Sequence, residues 1–318
     1  MNPLSLLKRW SLFLAAFLVL GSIGVHGQAA DSESKTIRVL TVGNSFADNA
    51  LTYLKDLAEA AGHTLIAGKA NLGGCTFERH WRHVAAYQED PESEEGSPYG
   101  KGKYSLDDML KKEPWDIITI QQVSYRSHDL STYYPYARDL YNYIKARAPD
   151  AQIFAHQIWA YRVDDPRFVP KNEGKEPHTQ KVMYEQVRKS YHTLIDELNL
   201  DGILPSGDAM YLADTNSEWG FVPDPDLDIA SFEHPNTPTQ EHSLHVGWRW
   251  REKDGTRQLT IDGHHASEAG KYLIGCVWYE TLFGVDVTNN TFVPKGIAPE
   301  YAKFLRATAH QAVSQLEK

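Results

Sequence analysis

The segment Val-Leu-Thr-Val-Gly-Asn-Ser-Phe at residues 39–46 places Ser45 directly after an apolar strand pattern and directly before a helical one. Side chains at the carboxyl end of a strand in a parallel sheet are presented to ligands. The first amides of the helix that follows have no intrahelical partner and suit an oxyanion. Serine and asparagine are also favoured as ordinary helix N-caps. The segment therefore leaves open whether Ser45 is a nucleophile or a cap.

A second segment near the other end of the chain, Ile-Asp-Gly-His-His at residues 261–265, carries a carboxylate and two imidazoles. The spacing of three between Asp262 and His265 brings both side chains to one side of a turn. The carboxylate can then hold one ring nitrogen while the other nitrogen faces a hydroxyl. Together with Ser45, these residues supply the nucleophile, the base and the orienting acid of a catalytic triad. The same pattern also suits an Asp N-cap followed by two exposed histidines.

The chain between the two motifs alternates short β-branched runs with helical patterns, which is typical of an α/β layer fold with a mostly parallel sheet. The predicted strands are Ile37–Val42, Thr64–Ala67, Asp116–Gln121, Gln152–His156 and Gly202–Leu204. The predicted helices are Phe46–Ala61, Tyr134–Ala148, Gln180–Leu198, Ser267–Phe283 and Pro299–Leu316. Long loops rich in proline, glycine or charge are predicted near residues 88–103, 163–178 and 214–245. Loops of this length are usually lids or binding surfaces.

Residues 1–30 have the layout of a secretory signal peptide, with Lys8 and Arg9, then an apolar run, then small residues near a cleavage point. A single membrane anchor is the alternative, although the apolar run is short for one. Cleavage predicts a secreted or periplasmic protein with no stable membrane insertion. The remaining residues 31–318 are predicted to form one domain.

The predicted mature chain is acidic. The whole sequence has 32 basic and 42 acidic residues, and removal of Lys8 and Arg9 leaves a net charge of −12. Such a surface argues against nucleic acid as a partner. The two cysteines, Cys75 and Cys276, do not make a disulfide framework, and the sequence leaves open whether they pair.

Two further segments could supply donors to an oxyanion, beside the amide of Ser45. Gly73 and Gly74 follow the second predicted strand, where a glycine amide can reach into a cleft. Gln121 and Gln122 end the third predicted strand with two carboxamides, and strand alternation lets only one of them face the site. Each such donor typically contributes about 3 kcal/mol of transition-state stabilisation. Taken alone, the two glycines also fit an ordinary turn, and the two glutamines also fit a polar strand end.

Four residues are predicted to line the substrate side of this site. Asn44 adjoins Ser45, and His156 and Trp159 follow the fourth predicted strand. His264 should point away from His265, which gives it a supporting or substrate-side role. For His156 and Trp159, burial in the core is an equally good interpretation.

Fourteen histidines raise the question of a metal site, either at Asp262, His264 and His265 or at His242 and His245. The sequence contains no His-Glu-x-x-His or Cys-x-x-Cys spacing, and adjacent histidines should project in different directions. The sequence therefore predicts neither a catalytic metal nor a cofactor.

The order of these motifs resembles that of the SGNH, or GDSL-like, hydrolases, from Arg38 to about Gly284. The features closest to one branch, usually described as a domain of unknown function, are Trp-Asp and Ile-Gln-Gln-x-Ser at 115–124 and Asp-Gly-x-His-x-Ser with Gly-x-Tyr-Leu at 262–273. The resemblance implies a three-layer α/β/α, flavodoxin-like fold with a five-stranded, mostly parallel sheet. It also implies ester hydrolysis by Ser45, His265 and Asp262, with Gly73 or Gly74 as the oxyanion glycine.

Two departures from that family pattern bear on activity. The usual Gly-Asp-Ser is Gly-Asn-Ser here, and the usual Gly-x-Asn-Asp block after the third strand is missing. The oxyanion hole then depends on whether Gln121 or Gln122 takes the place of the asparagine. We expect an exported serine esterase for a small-molecule or glycan ester, including O-acetyl groups on carbohydrate. The alternative is a glycan-binding protein on the same fold that does not turn over its ligand.

Overall fold

The computed structural model describes residues 34–168 and 177–316, so the predicted signal peptide lies outside the described residues. Five strands form the central sheet: β1 (Thr36–Gly43), β2 (Thr64–Asn71), β3 (Ile117–Ile120), β4 (Gln152–His156) and β5 (Gly202–Leu204). All neighbouring strands are parallel, and their order is β2-β1-β3-β4-β5. The chain thus leaves β1 toward one edge of the sheet and later continues from β3 toward the other.

This strand order determines where a ligand can bind. Val42 of β1 pairs with Ile120 of β3, and Gly43 pairs with Asn71 of β2. The carboxyl ends of these three strands therefore lie side by side at the same end of the sheet. A crevice forms at such a switch point because the connections that follow β1 and β3 turn to opposite faces of the sheet. The residues directly after β1 and β3 therefore lie at the crevice.

Helices cover both faces of the sheet. They are α1 (Ser45–Ala50), α2 (Leu54–Ala60), α3 (Phe77–Glu89), α4 (Tyr99–Gly102), α5 (Leu106–Lys111), α6 (Tyr136–Arg147), α7 (Gln180–Leu198), α8 (Ser206–Asp214), α9 (Glu268–Phe283) and α10 (Pro299–Ser314). One layer contains α1, α2, α8, α9 and α10, whereas α3, α5 and α6 pack together in the other. The buried apolar runs of β1 and β3 fit a sheet that is covered on both sides. The predicted three-layer α/β/α fold is confirmed.

A two-stranded antiparallel hairpin lies outside the central sheet and differs from the prediction. Its strands are β6 (His245–Lys253) and β7 (Thr256–Ala266). The sequence predicts a turn at residues 262–265, yet this segment is the end of β7. The hairpin forms because Asp254 and Gly255 both adopt positive φ, at 51° and 74°, as a two-residue turn of this kind requires. The Asp-Gly pair between two β-rich runs was the sequence signal for it.

The helix predicted at Phe46–Ala61 is divided into α1 and α2. The hydroxyl of Thr52 donates to the carbonyl of Asp48, a local bond that competes with regular helix. Four observed helices, α3, α4, α5 and α8, are absent from the sequence prediction. Two of them begin at residues whose hydroxyls accept from an amide three positions later, Thr76 for α3 and Ser105 for α5.

Two further features concern the sequence predictions. Cys75 and Cys276 are both buried and free, so they do not form a disulfide bridge.

Within residues 34–168 and 177–316, no helix combines the length and the apolar character needed to cross a membrane. Between α8 and β6, the predicted long loop contains a single 3-10 turn at Ile229–Ser231.

Candidate active site

Ser45, His265 and Asp262 lie in hydrogen-bonding order. Nε2 of His265 is 3.0 Å from Oγ of Ser45, and Nδ1 is 3.1 Å from each carboxylate oxygen of Asp262. The backbone amide of His265 also donates to Asp262 Oδ1 at 3.3 Å. Ser45 is the first residue of α1, whereas the other two residues lie on β7. The fold therefore joins the two motifs from opposite ends of the chain.

The side chain of Asn44 is buried behind the nucleophile, contrary to the prediction that it lines the substrate side. Its Oδ1 accepts from the amide of Phe46 at 3.1 Å and from Nε2 of Gln121 at 2.8 Å. Its Nδ2 donates to the carbonyl of Cys75 at 3.0 Å. With these bonds made and 1% of its surface exposed, Asn44 is left to position its neighbours.

Gln121 lies on the nucleophile's side of the sheet edge. Its Nε2 donates to Asn44, and its Oε1 accepts from Nδ1 of His156 at 2.9 Å. Burial lowers the pKa of His156 to about 3, so this imidazole is neutral and fixed as a donor at Nδ1. His156 is fully buried and therefore does not line the substrate cleft as predicted.

Gln122 points away from the nucleophile, as strand alternation requires. Its Oε1 accepts from the amides of Phe77 and Val123, and its Nε2 donates to the carbonyl of Thr132. Because the carboxamide is used in this way, Gln122 is not an oxyanion donor. Of the two predicted glutamines, only Gln121 stays near the site.

The loop after β2 presents two glycines beside the nucleophile. Gly73 and Gly74 are exposed, and Gly74 has a φ of +60°, which favours glycine. Within the described part of the chain, neither of their amides has an acceptor. The amide of Ser45, as the first of its helix, has no intrahelical partner either. Three backbone donors are therefore free to face an oxyanion.

Trp159 and His264 occupy other positions than those predicted. Trp159 is fully buried, stacks on Phe46 with 4.3 Å between ring centres, and donates its indole N–H to the carbonyl of His264. Trp159 thus packs against the residues next to Ser45 and His265 and does not line the cleft. The His264 ring lies beside that of His265, with centroids 4.0 Å apart, and its Nδ1 is 3.0 Å from Asp262 Oδ1. The two adjacent histidines thus converge on one carboxylate.

Comparison with known proteins identifies a family. Residues 38–223 and 249–312 match the family model described as a domain of unknown function, DUF4886. The chain belongs to this family. A crystal structure of a DUF4886 family protein from Bacteroides uniformis ATCC 8492 has a TM-score of 0.67 and 28% identity, covering 89% of this chain and 96% of that one. The predicted assignment to a branch of unknown function is confirmed.

Other solved structures are similar to the DUF4886 chain at lower scores. A protein from Slackia heliotrinireducens, described as a candidate SGNH hydrolase, has a TM-score of 0.45 and 18% identity, covering 77% of this chain and 98% of that one. A family 3 carbohydrate esterase from Clostridium thermocellum has a TM-score of 0.40 and 11% identity, with 77% and 94% covered. No curated protein sequence matches the chain significantly.

Two arginines of the DUF4886 chain that sequence reasoning missed hold the triad carboxylate. Nη2 of Arg249 and Nη2 of Arg251, the latter at 3.0 Å, both donate to Asp262 Oδ2. Burial opposes ionisation of Asp262, but the hydrogen bonds from His264 and His265 hold its pKa well below its usual range. The Asp-Gly pair at residues 254–255 predicts the hairpin. The pairing of β6 with β7 then places both arginines on the face that carries Asp262.

His80 is a second residue that sequence reasoning missed. Its Nε2 lies 3.1 Å from the carbonyl of Gly43, and its Nδ1 lies 2.8 Å from the hydroxyl of Tyr99. Burial lowers the pKa of His80 to about 3, so the ring is neutral and buries no charge behind β1. No sequence motif marks this contact, because α3, which carries His80, was not predicted.

The donor atoms of Asp262, His264 and His265 lie within 4.8 Å of one another, a spacing that a metal ion could use. Oδ2 of Asp262 is already shared by two guanidinium groups, whose charge opposes a cation at this place. A metal on His265 would also compete with the bond to Ser45. The cluster therefore fits a hydrogen-bonded triad better than a metal site.

Asn44→Asp is expected to lower the stability of this DUF4886 chain. An aspartate can still accept from Phe46 and Gln121, but it has no N–H for the carbonyl of Cys75 and puts a buried charge against it. We expect a loss of about 1–3 kcal/mol in the free energy of unfolding, measured by chemical denaturation. Asn216→Asp is the matched control, because Asn216 caps two amides at an exposed site. Equal effects of the two substitutions would contradict the role of Asn44.

Proposed function

We propose that this protein is an exported serine esterase that works by acyl transfer through Ser45. The observation that carries the proposal is the continuous chain of hydrogen bonds from Ser45 Oγ through both ring nitrogens of His265 to Asp262. A helix cap needs no base beside its hydroxyl, and a base needs no buried carboxylate unless its charge changes. The arrangement is the one that makes a hydroxyl nucleophilic.

The reaction would proceed in two halves. Oγ of Ser45 attacks the ester carbonyl while Nε2 of His265 takes its proton, and the ionised Asp262 stabilises the imidazolium. Collapse of the tetrahedral intermediate passes that proton to the leaving alcohol and leaves an acyl group on Ser45. A water molecule, deprotonated by His265, then attacks the acyl group and releases the acid.

The oxyanion would be stabilised mainly by backbone donors. In the part of the chain that the structure describes, the amides of Ser45, Gly73 and Gly74 have no acceptor. Gln121 gives one of its two N–H groups to Asn44 and retains a second. This second N–H is the candidate replacement for the missing asparagine of the family pattern.

For the substrate we propose an ester of a small molecule or a glycan, including O-acetyl groups on carbohydrate. Support comes from the secretory layout of residues 1–30 and from an exposed aromatic side chain in the segment that follows β3. Tyr125, in the segment that follows β3, is half-exposed and available for stacking on a sugar ring. The same layout supports a secreted or periplasmic location for the mature protein.

Labelling with a fluorophosphonate tests the mechanism directly. The reagent transfers its phosphonyl group to an activated serine hydroxyl with loss of fluoride. We expect one adduct by intact mass, mapped to Ser45 by peptide analysis, and none in Ser45→Ala. His265→Gln should also stay unlabelled although its serine is present, whereas Ser217→Ala, at an exposed loop position, should label like wild type. Labelling of Ser45 that does not require His265 would sink the triad.

One observation favours the alternative, a glycan-binding protein without turnover. The carboxamide of Gln121 is engaged at both ends, by Asn44 and His156, and the Gly-x-Asn-Asp block is missing. If backbone amides alone do not suffice for the oxyanion, the crevice would bind but not hydrolyse an ester. Glycan binding without any labelling of Ser45 is the result that would favour this alternative.

A further inference from the structure

Two arginines with unused hydrogen-bonding capacity lie directly beside the proposed catalytic triad. The side chains of Arg249 and Arg251 are 39% and 51% exposed, and each spends one nitrogen on Asp262. One carboxylate cannot neutralise two guanidinium groups, so an excess of positive charge remains at this edge of the crevice. Each group also keeps N–H donors that Asp262 does not use.

Two more arginines approach the site from other directions. Arg167 lies 3.5 Å over the ring of Tyr161, which in turn contacts His264, and its guanidinium is paired with the carboxylate of Asp165. Nη1 of Arg79 donates to the carbonyl of Gly73, on the loop that carries the candidate oxyanion amides. The crevice is thus bordered by arginines contributed by β6, by α3 and by the segment after β4.

Structural ion pairing alone does not account for this arrangement. Asp262 already accepts from the side chains of His264 and His265 and from the backbone amide of His265, so one arginine would fill its remaining acceptor position. Because the guanidinium groups are half-exposed, solvent weakens the contribution of their pairing with the buried carboxylate to the stability of the fold. The chain as a whole carries ten more acidic than basic residues, so an anion would be repelled over most of its surface and attracted here.

We propose that the substrate of this site is an ester that carries a carboxylate on the part of the molecule that does not react. The inference rests on the proposed esterase function and names the substrate class for it. A guanidinium fork matches the geometry of a carboxylate and binds it with two parallel hydrogen bonds. Arg251, the more exposed of the pair, is the residue that would contact the carboxylate.

A matched pair of chromogenic acetates tests the inference. One is 2-nitrophenyl acetate, and the other is 4-acetoxy-3-nitrobenzoate, which adds only a carboxylate; each rate is divided by the rate of hydroxide-catalysed hydrolysis. We expect Arg251→Gln to reduce kcat/KM for the carboxylate-bearing ester at least five-fold more than for the neutral one. Any general damage through Asp262 would lower both rates and leave their ratio unchanged.

Arg257→Gln is the control because it removes the same charge from the same hairpin. Arg257 pairs with Glu252 on the opposite face from Asp262 and lies about 16 Å along β7 from it. This distance exceeds the screening length of about 10 Å at 0.1 M salt. We expect the ratio of the two corrected rates to equal that of wild type.

Binding measurements separate failure of this inference from failure of the esterase proposal. Calorimetry with Ser45→Ala compares 4-hydroxy-3-nitrobenzoate with 2-nitrophenol and needs no turnover. Ser45-dependent hydrolysis with a ratio that Arg251→Gln leaves unchanged would overturn the carboxylate preference alone. Hydrolysis of neither ester, with carboxylate-dependent binding that Arg251→Gln abolishes, would overturn the esterase and support the anion site. Absence of both hydrolysis and carboxylate-dependent binding would overturn both.

Discussion

Ser45→Ala is expected to lower kcat/KM for p-nitrophenyl acetate by at least about 10³-fold, which corresponds to about 4 kcal/mol of lost transition-state stabilisation. The loss is large because His265 and Asp262 act only through the hydroxyl that the substitution removes. Loss of any one member of such a triad disables the others, so His265→Ala in addition should cost little more. The measurement is initial-rate kinetics on purified variants, with the double variant beside the single ones.

The fold should survive this substitution, because among the described residues the hydroxyl of Ser45 bonds only to the partly exposed ring of His265. Ser217→Ala, at an exposed loop position, is the control for handling and contamination and should keep the wild-type rate. A chelator should leave the rate unchanged if the triad is the catalyst. Equal rates for Ser45→Ala and wild type would remove the esterase mechanism, and loss of activity with chelator alone would point to a metal.

Asp262→Asn is expected to lower kcat by about 10³- to 10⁴-fold. The aspartate accepts from four side chains, those of His264, His265, Arg249 and Arg251. An asparagine has one acceptor oxygen and brings its own N–H groups against these donors. The imidazole of His265 would then lose its orientation and the charge that stabilises its protonated form. Kinetics with p-nitrophenyl acetate measure the effect.

The same substitution should also lower the stability of the fold. Four donors lose a charged acceptor, and the partly exposed setting of the arginines limits the cost to about 1–3 kcal/mol. Since the pKa of Asp262 is lowered in the folded state, its contribution is present above pH 4 and is lost as the pH falls further. We therefore expect less acid destabilisation between pH 5 and pH 3 in Asp262→Asn than in wild type, measured by thermal unfolding.

Asp228→Asn is the matched control, because Asp228 accepts from the amide of Ala230 at an exposed turn that an asparagine also suits. It should unfold like wild type at each pH. An Asp262→Asn variant that keeps both its kcat and its acid profile would show that the carboxylate neither orients the base nor contributes stability through its charge.

The sequence predicted the sheet well because β-branched runs between helical patterns have few other interpretations. Gln152–His156 and Gly202–Leu204 agree with the observed strands in both bounds, and Gln180–Leu198 agrees with α7. The places where the prediction differed are local. At the break between α1 and α2 the hydroxyl of Thr52 bonds to the carbonyl of Asp48, and the hairpin requires a two-residue turn at Asp254 and Gly255.

The candidate site could be predicted as far as the residue types of the triad, but not in its supporting bonds. Asn44 and His156 are polar residues beside a catalytic motif, and only the tertiary packing decides that they face inward. The two guanidinium groups on Asp262 depend on the register of β6 against β7, which a missed hairpin hides. Long-range contacts of this kind have no local signal in a single sequence.

The residues of the proposed triad lie on two separate structural units, with Asp262 and His265 on the hairpin and Ser45 at the end of the central sheet. The acid and the base move together on β7, while the hydroxyl belongs to the central sheet. The bonds that hold the hairpin against the rest of the fold include those from Trp159 Nε1 to the carbonyl of His264, from the amide of Arg162 to the carbonyl of Gly263, and from the amide of Ala266 to Oδ1 of Asn49. A displacement of the hairpin away from the sheet would separate Ser45 from His265 and leave the imidazole–carboxylate pair intact.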